Sequence, residues 1–387
     1  MIIILVFIGL VFGIHHFTKD HTLGFDFYLY WNSTRSFVFE GLNPYSEEVA
    51  AQNQAGFFGH TDRQGLGPYY FRNPAYSILP IIPLTLFDFQ WAQSIWMGLN
   101  IIGILVCFYY AVPGLPKWML ILFVFFYQIG FGLVQGNFSL LAGLAILLAI
   151  GVIVLQGKHD VRTQIIIGSL LTISTFKPQL SWLFLAWIFL YAFRQRLFSL
   201  IISFFGTLTV VSIVMLIFLP TWPKDFIQMI LTYQQGIGLI STRAAILQPP
   251  LGGGTANIVG NLLLLAVFSY TLHLIFTRKA PARSEMIDQL ALISITTFLA
   301  HPSGFSTEQI CLLIPVLIWL AYSDDPAMIK SNTWILMFVS SYLCFWGSQV
   351  IDLPRLIIKG PFVISLLWTG SLVFLHMRSK DRIRILA

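Results

Sequence analysis

Charge is what this chain most lacks. Only 10% of its 387 residues are Asp, Glu, Lys or Arg, whereas 57% are hydrophobic and the mean hydropathy is +0.80. Soluble globular domains carry about a quarter charged residues, so a polytopic membrane protein is expected instead. Acidic clusters are also missing. There is no DxD motif or dense carboxylate group, so no metal site is expected. HExxH, Walker, Rossmann and GxSxG motifs are absent, which leaves no sequence reason to expect a nucleotide or other cofactor. The three cysteines, Cys107, Cys311 and Cys344, lie far apart inside apolar runs. They support neither a disulfide framework nor a zinc site. The opening MIIILVFIGLVFGIHHF has no basic n-region and no small-residue cleavage site, so it is expected to stay as a first span.

What is present is a series of apolar runs of about 17–25 residues, the length that crosses a bilayer. They fall near 1–17, 91–112, 117–133, 138–156, 163–176, 178–193, 198–219, 256–277, 287–300, 307–322, 331–347 and 355–376. A thirteenth run, 74–87, is short and carries three prolines. The net charge of +6 is spread over short loops, so it reads as a topology signal and not as nucleic-acid binding. Lys158 and Arg162, Arg194 and Arg196, Arg278, Lys279 and Arg283, Lys330 and the basic tail share one side only if 74–87 does not cross. The expectation is therefore an all-α chain, residues 1–387 as one domain, with about twelve transmembrane helices and both termini cytoplasmic. The run 74–87 becomes a helix on or dipping into the outer face.

That topology sends the unusual polar residues outward. The first outer loop spans 18–90 and the second 220–255; between and after them come VQGN, FKPQ and HPSGFSTE. The first loop opens with GFDFYLYWNSTRSFVFEGLNPY. Phe27, Tyr30, Trp31, Thr34, Phe37 and Val38 recur at helical spacing, Gly41 falls where a left-handed cap belongs, and Pro44 follows. Asp26 heads this juxtamembrane helix. It is expected as the N-cap and, as a partly desolvated carboxylate, as the general-base candidate, the two roles being compatible.

Lys177 breaks two apolar runs, a costly place for a lysine unless it snorkels or meets a partner. With Arg72 and Arg243 it forms a set of cations able to hold an anionic head group. Gln135, Asn137 and Gln179 either line a polar cavity or serve helix ends. His301 is a helix-end residue or a site residue, and Glu308 suits a helix N-terminus in any case. The heavy first loop has no counterpart in the second half, which argues against a lipid-linked sugar transporter or flippase built from two related halves. Only Arg243 in the late outer loop suits an oligosaccharide ligase using a lipid-diphosphate donor.

Taken in order, DFYLYWNSTRSFVFEGLNPYS, FRNPAYSILPIIPL, VQGNFSLLAGLAILLA, STFKPQLSWLFLAWIFLYAFRQR and HPSGFSTEQICLLIP resemble the GT-C superfamily of membrane glycosyltransferases. The likeness is to glycosyltransferase family 87, which includes bacterial polyprenyl-phosphate-mannose-dependent α-mannosyltransferases. The resemblance implies a GT-C fold and a polyprenyl-phosphate-linked sugar donor, with mannose as the sugar. It also implies a glycolipid or glycan acceptor, and a multi-pass protein of the cell membrane with its site on the outer face. Under it Asp26 is the general base, Lys177 lies near the donor phosphate, and His301 belongs to a polar break near the pocket.

Overall fold

The computed structural model describes residues 2–59, 69–236, 253–277, 281–301, 306–323 and 325–350. Arg243 and the run expected at 355–376 lie outside the described residues. All regular structure among the described residues is helical. In chain order the α-helices are α1 (Ile2–Thr18), α2 (Phe25–Arg35), α3 (Glu47–Phe58), α4 (Phe89–Ala111), α5 (Lys117–Val124) and α6 (Tyr127–Gln135). There follow α7 (Phe138–Ala149), α8 (Val161–Leu171), α9 (Pro178–Arg194), α10 (Phe198–Phe218) and α11 (Trp222–Gly236). The last four are α12 (Gly253–Thr277), α13 (Arg283–Ala300), α14 (Ile310–Tyr322) and α15 (Ala327–Val350).

Among the described residues four helical segments are long and apolar enough to cross a membrane: Phe89–Ala111, Phe138–Leu155, Phe198–Phe218 and Gly254–Thr277. The second joins α7 to a π-helical continuation, Ile150–Leu155. Helices α5 and α6 make a fifth if counted together, but they bend by 53° at their junction. The run expected as one span at 117–133 is thus broken. Phe126 leaves helical geometry there, and its buried ring stacks on Trp334 of α15 at 5.0 Å. Three shorter apolar helical segments, Ile4–Thr18, Val161–Phe176 and Thr307–Tyr322, accompany them.

The helix expected over 74–87 is corrected to two 3-10 turns, Ala75–Ile78 and Ile82–Leu86. Pro74, Pro80 and Pro83 each lack an N–H, so an α-helical ladder cannot propagate through them. The stretch nonetheless packs inward, with Ala75, Ile78 and Ile81 buried.

Two cores result. The larger lies within the bundle and is formed mainly by α4, α7, α9, α13 and α14. Close backbone approach supports it: a Cβ on Gly151 would come within 2.3 Å of the Ala111 carbonyl oxygen, so a small residue is required where these segments cross. The smaller core is aromatic and sits over one end of the bundle. It gathers Phe27, Tyr30 and Trp31 of α2, Phe71, Tyr76, Phe89, Trp96, Phe138 and Trp222. Asn43 Nδ2 donates to Asp225 Oδ2 at 2.7 Å, tying the stretch between α2 and α3 to α11.

Candidate active site

The site begins with how α2 is seated. Gln93, buried in α4, accepts from the backbone N–H groups of Leu23 and Gly24 at 2.9 and 3.0 Å and donates to the His21 carbonyl at 3.2 Å. These bonds satisfy amides that the helix start would leave orphaned. The helix's N-cap position is Gly24, with no side-chain cap, and Asp26 lies inside the first turn. The capping reading of Asp26 is therefore corrected. Its Oδ2 instead accepts from Asn137 Nδ2 at 2.7 Å.

Asn137 does two things at once. Its Oδ1 accepts from the Ser139 N–H at 2.8 Å and caps α7, which orients Nδ2 toward Asp26. Gly136, just before it, has φ +66°, and a Cβ there would come within 2.5 Å of the Phe27 Cβ. The left-handed turn and the contact both call for glycine. Trp96 Nε1 donates to the Gly136 carbonyl at 3.0 Å and holds the turn from α4. Phe138 stacks on Tyr30 with centroids 4.0 Å apart, locking α2 against the start of α7.

Lys177 stands at the break between the 3-10 turn Thr172–Phe176 and α9. Tyr76 Oη donates to Thr175 Oγ1 at 3.0 Å, fixing the break to the 75–78 turn. The Lys177 ammonium lies 3.8 Å from Glu308 Oε1, and the side chains are only 12% and 5% exposed. Glu308 sits in the 3-10 turn Ser306–Gln309 that leads into α14. Asn137, Lys177 and Glu308 thus each stand at the start of a helix. Helix N-termini carry partial positive charge, so the ends of α7, α9 and α14 favour negative charge.

Asp26 as a residue keeps partial exposure, but its carboxyl is enclosed by neighbouring atoms. That enclosure raises its proton affinity above the usual carboxylate range. The Lys177 ammonium, the Asn137 hydrogen bond and the Arg72 guanidinium pull the other way, in that order of size. Asp26, Asn137, Lys177, Arg72 and Glu308 therefore form one electrostatic cluster, assembled from five separate stretches of chain. Gln135 ends α6 beside this turn, and its buried Oε1 has no hydrogen-bond partner among the described residues. Gln179 occupies the first turn of α9. His301 is buried at the C-terminal cap of α13, ahead of Glu308.

Sequence reasoning missed several residues here. Tyr30 was expected only as part of an apolar face. Its phenol meets the Asn73 side chain and the Phe138 backbone, and feels the charges of Asp26 and Glu308. The signal was available: Tyr30 is four residues after Asp26, on the same side of the helix. Gln93 and the buried pair Gln128–Gln309, joined at 3.2 Å, gave no such signal. Among the described residues no group of three or more His, Cys, Asp or Glu side chains is arranged to hold a metal ion.

Fold and site together define an integral membrane protein whose buried polar chemistry gathers where several helices begin. The chain belongs to glycosyltransferase family 87: the model of that family matches residues 71–302, more than half of its length. It is accordingly a membrane glycosyltransferase, acting between a sugar donor and an acceptor. The match includes Arg72, Gln135, Asn137, Lys177, Gln179, Arg243 and His301, and ends short of Asp26 on one side and Glu308 on the other. Comparison with characterised proteins and with solved structures gave no match.

Proposed function

We propose that this glycosyltransferase moves a hexose, mannose, from a polyprenyl-phosphate donor to a hydroxyl of a glycolipid or glycan. The reaction takes place on the outer face of the cell membrane, in a GT-C fold of about twelve spans with cytoplasmic termini. Asp26 is the general base. It takes the proton from the acceptor hydroxyl while that oxygen attacks the anomeric carbon from the face opposite the phosphate. The carbon–oxygen bond to phosphate breaks, and its electron pair leaves with the polyprenyl phosphate. One in-line displacement inverts the anomeric centre, so a β-linked donor gives an α product.

The observation that carries this reading is the enclosed Asp26 carboxyl, held by Asn137 and facing the charges of Lys177 and Arg72. A base needs a proton affinity nearer neutrality than an exposed carboxylate has, and burial supplies it. Lys177, Arg72 and Arg243 neutralise the departing phosphate. Gln135, Gln179 and His301 line the sugar, and Glu308 keeps Lys177 extended. The lipid tail stays in the bilayer while the head reaches the polar end of the bundle.

Mass spectrometry of membrane glycolipids from cells with and without the protein tests this directly. The expected result is loss of a single hexose from one glycolipid class, restored by the intact gene and not by Asp26→Asn. An unchanged glycolipid profile would overturn the assignment.

A further inference from the structure

At the end of α9 away from Lys177 lies a cavity of about 150 Å³ between the end of α9, the end of α12 and the start of α13. Arg194, which lines it, closes the 17-residue α9 that starts beside Lys177, roughly 25 Å along the helix at 1.5 Å per residue. In the proposed topology, which takes α9 as a span, it belongs to the opposite membrane face. Its walls are of two kinds. Leu190, Ile275 and Met286 are apolar; Tyr191, Arg194 and Gln195 are polar. Its floor is already satisfied: Trp187 Nε1 donates to Gln289 Oε1 at 2.8 Å, and Gln289 Nε2 donates to the Leu274 carbonyl at 3.3 Å.

Arg194 is the one charged side chain among these lining residues. Among the described residues it donates once, from Nη2 to the Ile275 carbonyl at 3.2 Å. That bond has a structural purpose, since it caps a carbonyl near the end of α12. A guanidinium has five N–H donors in a planar fork, however, and a single carbonyl bond leaves most of them for an anion. The nearby Arg283 is turned away, its guanidinium 5.7 Å from the Tyr322 ring centroid. Glu285 accepts from the Ala282 N–H at 3.1 Å in the first turn of α13.

The surroundings point to lipid rather than to a soluble ion. Phe193 and Phe198 flank the turn after Arg194, are 64% and 49% exposed, and meet edge to face. In a membrane protein such rings face hydrocarbon, which sets the mouth of the cavity at the edge of the apolar layer. Basic pockets between transmembrane helices are where anionic head groups bind.

We propose that this cavity binds an anionic phospholipid of the leaflet opposite the Asp26 site. The Arg194 fork takes the phosphate, and Leu190, Ile275 and Met286 receive the first part of an acyl chain. The site is independent of the transfer reaction, and its failure would leave the Asp26 assignment untouched.

Native mass spectrometry of the full chain, titrated with phosphatidylglycerol, phosphatidylcholine or inorganic phosphate, tests the proposal. Phosphatidylglycerol should be retained in preference to phosphatidylcholine, and excess inorganic phosphate should not displace it. Arg194→Ala should weaken retention about tenfold, the effect of losing one charge-assisted pair. Because that change also frees the Ile275 carbonyl, Gln195→Glu provides a second reading. It sets a negative charge at the mouth, leaves the Arg194 bond in place, and should weaken retention similarly. Equal retention of the two lipids, retention unchanged in both variants, or displacement by inorganic phosphate would each overturn the lipid assignment.

Discussion

The bundle core and the aromatic core over its end differ in how they hold most of their polar groups. Inside the bundle, many hydroxyl side chains bond back to their own helices, with a few bonds between helices such as Trp187–Gln289 and Thr271–Thr296. Thr271 donates to the Val267 carbonyl, Ser294 to Leu290 and Thr296 to Leu292, each at 2.7 Å. Over the end, the bonds cross the chain. Trp31 Nε1 reaches the Leu84 carbonyl at 3.2 Å, Tyr45 Oη the Asn73 carbonyl at 2.7 Å, and Asn53 Nδ2 the Tyr69 carbonyl at 3.0 Å. Helical backbone satisfies itself and can sit in lipid, whereas irregular backbone needs partners from elsewhere. Aromatic residues with one polar atom meet that need while still filling space. The bundle thus gives rigidity, and the aromatic region gives long-range geometry, which is what fixes Asp26 against Asn137.

The contrast can be broken most sharply at the carboxylate. Asp26→Asn should cut transfer by about 10²–10⁴-fold, the usual contribution of a general base, while the purified protein keeps its unfolding temperature. Near wild-type turnover would remove Asp26 from the chemistry. Next in size is Lys177→Ala. Losing a charge-assisted contact of about 1.5–3 kcal/mol should weaken donor-analogue binding by an order of magnitude or more in a titration. It also leaves Glu308 enclosed without its cation, so some thermal stability should go with it.

A paired glycine test separates the two regions directly. Gly151→Val drives side-chain atoms into the Ala111 backbone and should lower folded yield, at about 1–3 kcal/mol for overpacking. Gly136→Ala meets Phe27 and a positive φ, so it should disturb the Asp26 side first and lower kcat more than yield. Equal losses of yield in both would erase the distinction. The smallest effect is expected at Asn43→Ala, which removes the Asp225 bond at the periphery. About 0.5–1.5 kcal/mol of stability should be lost, with kcat/KM unchanged in the same assay.

The long apolar runs were legible in the sequence because each is a single element with little competition. The runs expected at 91–112, 198–219 and 256–277 correspond to α4 (Phe89–Ala111), α10 (Phe198–Phe218) and α12 (Gly253–Thr277). Gly41 does take the left-handed cap, φ 69°, after a π-helical turn closes the α2 segment. The break at Phe125–Phe126 was not legible, since neither proline nor glycine marks it. Proline chemistry did mark 74–87, and its consequence for the helix ladder was underrated. At the site, Asp26 and Lys177 announced themselves as charges in costly positions. Asn137, Arg72 and Glu308 were candidates too, but the pairing was not legible, because Asn137 lies 111 residues from Asp26 and no periodicity links them. The dual use of Asn137, cap and clamp, is visible only once α2 and α7 meet.

That clamp can be read in a pH–rate profile. As the proposed base, Asp26 must be ionised, so kcat/KM should rise with pH through an inflection above the ordinary carboxylate range and then level off. Asn137 favours the charged form of Asp26, so Asn137→Ala should move the inflection to still higher pH as well as lower the plateau. A profile with no inflection in that range, or one that stays put when Asn137 is removed, would contradict the account.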